Sequence, residues 1–170
     1  MNTRKLTMDA MLSALCAVLG MFSLDAGNIK LTFETLPILI GAMLSGPADG
    51  MLIGGVGTLI SQLLRYGLTV TTPLWILPYI VFGGIMGLYN VRPGISANRF
   101  RTVMLVIAAG LTVTVLNTAS LYIDSKIYGY YSPAFIFGMT GIRLVISIVK
   151  SVAYGLVLPS LVGVLQKSRG

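Results

Sequence analysis

Between Thr102 and Ile123 the chain carries no charged side chain. A helix needs about 20 apolar residues to cross the hydrocarbon of a bilayer, and a surface helix of a water-soluble domain of that length would show a polar face. The rest of the chain answers to the same solvent. Hydrophobic residues make up 55% of the 170 and charged residues 10%, with a mean hydropathy of +0.88, whereas soluble domains carry about 25% charged residues. The chain is therefore read as an all-α integral membrane protein, one domain over residues 1–170. Its 20 glycines are scattered along the chain, as suits membrane helices whose backbones approach closely.

Six spans are expected. The first covers about Leu6 to Leu24, and "DAGNIKLTFE" follows as a polar connection in which Ile29, Leu31 and Phe33 alternate like a short strand. The second runs from about Thr35 to Leu44, "SGPADG" is a tight turn, and the third runs from Met51 to Leu64. The fourth occupies Leu74 to Tyr89, the fifth Thr102 to Ile123, and the sixth extends from Phe135 or Gly141 to Leu165. The second and third are short for simple spans, so a broken or re-entrant segment packed by protein is expected there. An apolar run longer than a signal core, and Leu15 where a lipoprotein site before Cys16 needs a small residue, mark the first span as retained.

With the N-terminus inside, six spans bring the C-terminus back to the same side. The cytoplasmic flanks then hold Arg4, Lys5, Arg92, Arg99, Arg101, Lys167 and Arg169, and the outer loops Lys30, Arg65 and Lys126. That asymmetry obeys the positive-inside rule and gives a six-transmembrane-helix bundle with N- and C-termini cytoplasmic. The net charge of +7 does not point to nucleic acid, because the cations are dispersed among apolar segments.

The polar residues inside spans carry the functional reading. Arg143, Ser147, Lys150 and Tyr154 recur along one helical face of "GIRLVISIVKSVAYG". Glu34 opens the second span and Arg65 closes the third, so these charges share the outer half of the membrane with Arg143 and Lys150. A cation at mid-helix costs about 2.5 to 3.5 kcal/mol on insertion scales and must face protein, water or ligand. Three cations against one carboxylate describe an outward pocket for a small anion, with Glu34 left to accept from a donor-rich heterocycle. The aromatics in "RYGLTVTTPLWILPY", including Tyr66, Trp75 and Tyr79, suit either an interfacial belt or the lining for a flat ligand. Arg65 and Arg143 can also snorkel, Lys150 can pair with Glu34 to tighten the bundle, and Asn117 and Gln62 can join helices.

Enzymatic chemistry finds no footing. The sequence has no histidine, no Gly-rich loop ending in Lys-Ser or Lys-Thr and no carboxylate cluster, so neither a metal, a cofactor nor ATP hydrolysis is expected. Accumulation of a ligand would need an ion gradient or a partner.

The block F-x-x-L-P-I at Phe33 to Ile38, followed by G-A-M-L-S-G-P-x-x-G-x-L-x-G at Gly41 to Gly54, resembles the substrate-binding S-components of energy-coupling factor vitamin transporters. The likeness extends over "MDAMLSALCAVLG", "TTPLWILPYIVFGGIMGLY" and the last helix with its embedded Arg and Lys. These are six-helix proteins of prokaryotic cell membranes. The resemblance implies one vitamin bound at the extracellular side under the loops after helices 1, 3 and 5. It further implies docking to a transmembrane coupling subunit that carries two cytoplasmic ATPases. The family's Ala-x-x-x-Ala docking surface is matched by Ala10 and Ala14, with Ser13 and Ala17 one step round. Among its members the chain is most similar to the folate type, which assigns Glu34, Arg65, Tyr66, Trp75, Tyr79, Asn117, Arg143 and Lys150 to the ligand. Pantothenate is the alternative vitamin, and a structural subunit or assembly factor of a membrane complex the alternative role.

Overall fold

The computed structural model describes residues 3–26, 29–96, 98–138 and 140–167. Helix α1 spans Thr3–Met21, and strands β1 (Ser23–Ala26) and β2 (Ile29–Thr32) form an antiparallel hairpin with Ser23 opposite Thr32 and Ala26 opposite Ile29. Then come α2 (Thr35–Ser45), α3 (Pro47–Tyr66), α4 (Thr72–Val91), the single turn α5 (Pro93–Ser96) and α6 (Arg99–Ile127). The short α7 (Pro133–Phe137) and the long α8 (Thr140–Lys167) complete the chain. Arg169, counted above among the cytoplasmic cations, lies outside the described residues, as do the side chains of Lys30 and Lys167.

Several boundaries differ from expectation, each for a local reason. The helical bundle carries one hairpin in its first connection: the first helix stops at Met21, and residues 23–26 pair with the expected strand. The turn "SGPADG" shrinks to Gly46, whose φ of +103° favours glycine. Pro47 takes the first position of α3 and Asp49 its first turn, both suited to a helix start. The third helix is consequently 20 residues long and not short, while α2, with 11, remains so. Helix α6 extends to Ile127, because no breaker intervenes before Gly129 at φ +76°. At its other end the Asn98 side chain accepts from the Phe100 amide at 3.0 Å and caps the helix.

The exposure pattern is that of a protein solvated by lipid. Met11, Leu64, Val115, Val149 and Val157 are among the most exposed side chains of the long helices, while the inner face of α1 is Asp9, Ser13, Cys16, Ala17 and Gly20. Within the described residues α4, α6 and residues 140–164 of α8 are long and apolar enough to cross a membrane. The apolar core gathers around α2, where Ile38, Leu39, Ala42 and Met43 are fully buried.

Helices α3 and α4 make the most extensive contact, followed by α6 with α8 and α1 with α3. Glycines set the α3–α4 distance. A Cβ on Gly83 would fall into the Gly50 backbone, one on Gly54 into the Tyr79 carbonyl, and one on Gly87 into Pro47. The i, i+4 spacing of Gly50 with Gly54 and of Gly83 with Gly87 keeps this backbone contact continuous, and in lipid such van der Waals contact supplies the association energy. Gly83→Leu is therefore expected to destabilise the purified protein by at least the 1–3 kcal/mol (about) of an overpacked core. Gly84→Ala, whose Cβ would meet only the flexible Met51 side chain at 3.4 Å, should leave the thermal unfolding midpoint close to the parent's.

Candidate ligand-binding site

A cavity of about 830 Å³ opens where six helices terminate. The end of α1 contributes Gly20, the entry to α2 Glu34 and Thr35, and the last turns of α3 Ser61, Arg65 and Tyr66. The first turns of α4 bring Trp75 and Tyr79, the outer part of α6 Asn117 and Asp124, and α8 the face Arg143, Ser147, Lys150 and Tyr154. Every one of the eight residues assigned to the ligand from the sequence lines this cavity. Ala10 and Ala14 do not; they sit on the exposed side of α1, with Ser13 and Ala17 turned inward.

Two levels can be distinguished along the cavity. Glu34 lies at the lower one. It is buried, and one carboxylate oxygen accepts from the Tyr79 hydroxyl, seven residues or about 10 Å along α4 from its start. Because α2 is short, its entry reaches this depth instead of the rim. The second carboxylate oxygen would lie 2.8 Å from a Cβ on Gly20, so a glycine there is what admits the acid. Lys150, two turns beyond Arg143 on α8, is within electrostatic reach of Glu34, and its ammonium stands 5.8 Å from the Tyr154 ring. Arg65 and Arg143, one from each of two helix ends, are the cations of the upper level, where the Arg65 guanidinium lies 5.6 Å from the Tyr66 ring.

Thr35, which the sequence reading did not single out, joins Asn117 and Tyr154 in the lining. Asn117 Oδ1 is buried and has no hydrogen-bond partner among the described residues, and the buried Thr35 Oγ1 and Tyr154 hydroxyl have none beyond each other. An unsatisfied buried polar group costs about 1–3 kcal/mol, so a polar occupant, ligand or water, gains by filling this space. Asp124 was also missed, since the expected fifth span ended one residue short of it. Its carboxylate accepts from Trp75 Nε1 at 3.5 Å and from the Tyr130 hydroxyl. Burial, and then that hydrogen bond, push the Tyr130 phenol up to about 12, so it remains a proton donor at neutral pH. A lone acid directly after a long uncharged run was the available signal.

A family model described as "ECF transporter, substrate-specific component" matches residues 4–165. The chain belongs to this family. The family is that of a transporter's substrate-specific component, and the long apolar helices suit a place in the membrane. Two solved structures share its fold. One is FolT bound with folic acid, at TM-score 0.69 and 22% identity, with 93% of this chain and 98% of that one covered. The other is the S-component for biotin from an ECF-type ABC transporter, at TM-score 0.70 and 14% identity, covering 95% and 94%. A UPF0397 protein of Lactobacillus johnsonii is 33% identical over 79 residues, 46% of this chain. The chain thus spans about 40% of the length of that curated relative.

The Glu34–Tyr79 contact is open to a test without ligand. Tyr79→Phe removes a donor from a buried carboxylate, a charge-assisted bond whose loss costs about 1.5–3 kcal/mol. Thermal unfolding of the ligand-free S-component should fall accordingly. An unchanged midpoint would mean that other donors hold Glu34 as well as the phenol does.

Proposed function

We propose that this S-component binds a folate-type vitamin from outside a prokaryotic cell and delivers it through a coupling subunit driven by two cytoplasmic ATPases. The observation that carries the ligand class is the order of charges along one cavity. A single deep acid beside Tyr79 suits the amino and ring N–H donors of a pterin, and Arg65 and Arg143 above it suit the glutamate carboxylates. The volume of about 830 Å³ lies toward the upper part of the range for drug-sized ligands, about 300–1,000 Å³, which supports the larger of the two vitamins named for the solved relatives. Helices α1, α2, α3, α4, α6 and α8 are the six spans of this reading, with both termini cytoplasmic. Lys5 and Asp49, 2.7 Å apart, then join α1 to α3 at the inner end.

Biotin is the second reading, on the equal likeness of fold, and pantothenate the third. Each is an anion, but neither gives Glu34 and an excess of cations so full a role. Thermal stabilisation by folic acid, 5-formyltetrahydrofolate, biotin and pantothenate separates them, since a ligand that binds the folded state raises its apparent stability. The folate compounds are expected to stabilise; stabilisation by biotin or pantothenate alone would reverse the ranking. Lys150→Met, which keeps the stem and removes the charge, should weaken folate binding by roughly ten- to a hundredfold. A folded variant binding as tightly as the parent would make the lysine structural.

The exposed small face of α1 supports docking through Ala10 and Ala14, where a partner helix can approach closely. Ala14→Trp is expected to abolish ATP-driven uptake in vesicles holding the coupling subunit and both ATPases, while equilibrium binding by the isolated variant stays near normal. Retained uptake would move docking to another face.

A further inference from the structure

The vitamin reading leaves Asp124 without a task. The residue is in the last turn of α6, 9% exposed and on the cavity wall. A carboxylate is a poor direct partner for an anion, so its place at a cation-rich pocket calls for another account. Its two oxygens are divided between different parts of the fold: Oδ1 faces Trp75 Nε1 in the first turn of α4, and Oδ2 accepts from Tyr130 in the connection between α6 and α7. All three side chains, with Tyr128, line the cavity.

The two contacts differ in how firmly they are built. One turn inward, Ser120 Oγ donates to the Leu74 carbonyl at 2.7 Å, which fixes α6 against α4 and sets the Asp124–Trp75 distance through the backbones. Tyr130 stands on a less regular part of the chain. It follows Gly129 at φ +76° in an irregular stretch, is 43% exposed, and turns its hydroxyl to the buried acid. The next residue, Tyr131, is held outside the cavity, where the Lys126 ammonium stands 3.9 Å from its ring and Tyr122 packs edge-on at 5.6 Å. The connection is thus held outside the cavity at Tyr131 and, at Tyr130, by a hydrogen bond to the buried acid.

We propose that Asp124 is a latch: it holds Tyr130 and Trp75 together across the cavity rim, so that a bound ligand leaves only when the Tyr130–Asp124 hydrogen bond opens. The acid is a positioning residue, and its effect on release rests on the reading of the cavity as the ligand site. Differences among variants of one site fall mainly on dissociation. Loss of a hydrogen bond to a buried charge at the rim should therefore speed release by about tenfold or more and change association much less.

Trp75 is the chain's only tryptophan, so intrinsic fluorescence reports on the latch without any ligand. The full-length protein, in lipid nanodiscs, is compared with Asp124→Ala, Asp124→Asn and Tyr130→Phe and with the Asp124→Ala/Tyr130→Phe pair. In the ligand-free state Asp124→Ala is expected to shift Trp75 emission to longer wavelength as water gains the rim. Tritiated folic acid, chased with unlabelled compound, should leave Asp124→Ala and Tyr130→Phe at least tenfold faster than the parent. The paired variant should be no faster than either alone, because both remove one interaction. Asp124→Asn keeps an acceptor for the Tyr130 hydroxyl and should recover part of the slow release. Release at the parental rate from folded Asp124→Ala or Tyr130→Phe overturns the latch, and so do effects that simply add. If the parent retains no folic acid, the vitamin reading falls by itself; the emission of Asp124→Ala then decides, and an unshifted spectrum overturns the latch.

Discussion

The backbone contact between α3 and α4 at Gly50 and Gly83 is the constraint on which the site depends. In lipid no hydrophobic force drives helices together, so association rests on how closely their surfaces fit. Where those two helices touch, no side chain stands between them, and their outer ends are carried side by side to the same rim. Ser61 and Arg65 on one and Trp75 and Tyr79 on the other then face a common space. The same device recurs at smaller scale: Gly57 meets Cys16 of α1, and Gly155 meets Val103 of α6. Close contacts along part of the helices let the remaining part enclose a cavity.

Charge is distributed along the bundle with similar economy. At one end Lys5 and Asp49 bridge α1 to α3 at 2.7 Å. At the other, both acids accept from neutral donors. Glu34 is satisfied by a phenol, Asp124 by a phenol and an indole, and the cations of α3 and α8 are set around them. A buried carboxylate that accepts from neutral donors has its lone pairs satisfied inside the site. Helix α1 belongs to both ends, with Gly20 against Glu34 and its small residues Ala10 and Ala14 exposed further down.

Much of this was legible from residues alone, because the solvent leaves so few options. In hydrocarbon the backbone must satisfy itself, so long uncharged runs become helices. The 3.6-residue period then puts Arg143, Ser147, Lys150 and Tyr154 on one side of α8, and a polar side must face inward. What failed was local: the partner strand Ser23–Ala26, the start of α3 at Pro47, and the extension of α6 through Asp124. Each is a place where polar residues stay in regular structure at a membrane edge, and hydropathy is blind to that because it averages over composition.

The sequence by itself determined a membrane-embedded helical chain, its inward polar faces and its family motif, since these follow from period, length and the cost of burying charge. Only the tertiary structure decided depth and partnership. Glu34 sits below the rim because α2 has 11 residues and Gly20 makes room. Asp124 meets Trp75, 49 positions away along the chain, because Ser120 holds α6 on α4. Such pairings depend on the fit of helices that are remote in sequence, and no local pattern records how two such surfaces will pack.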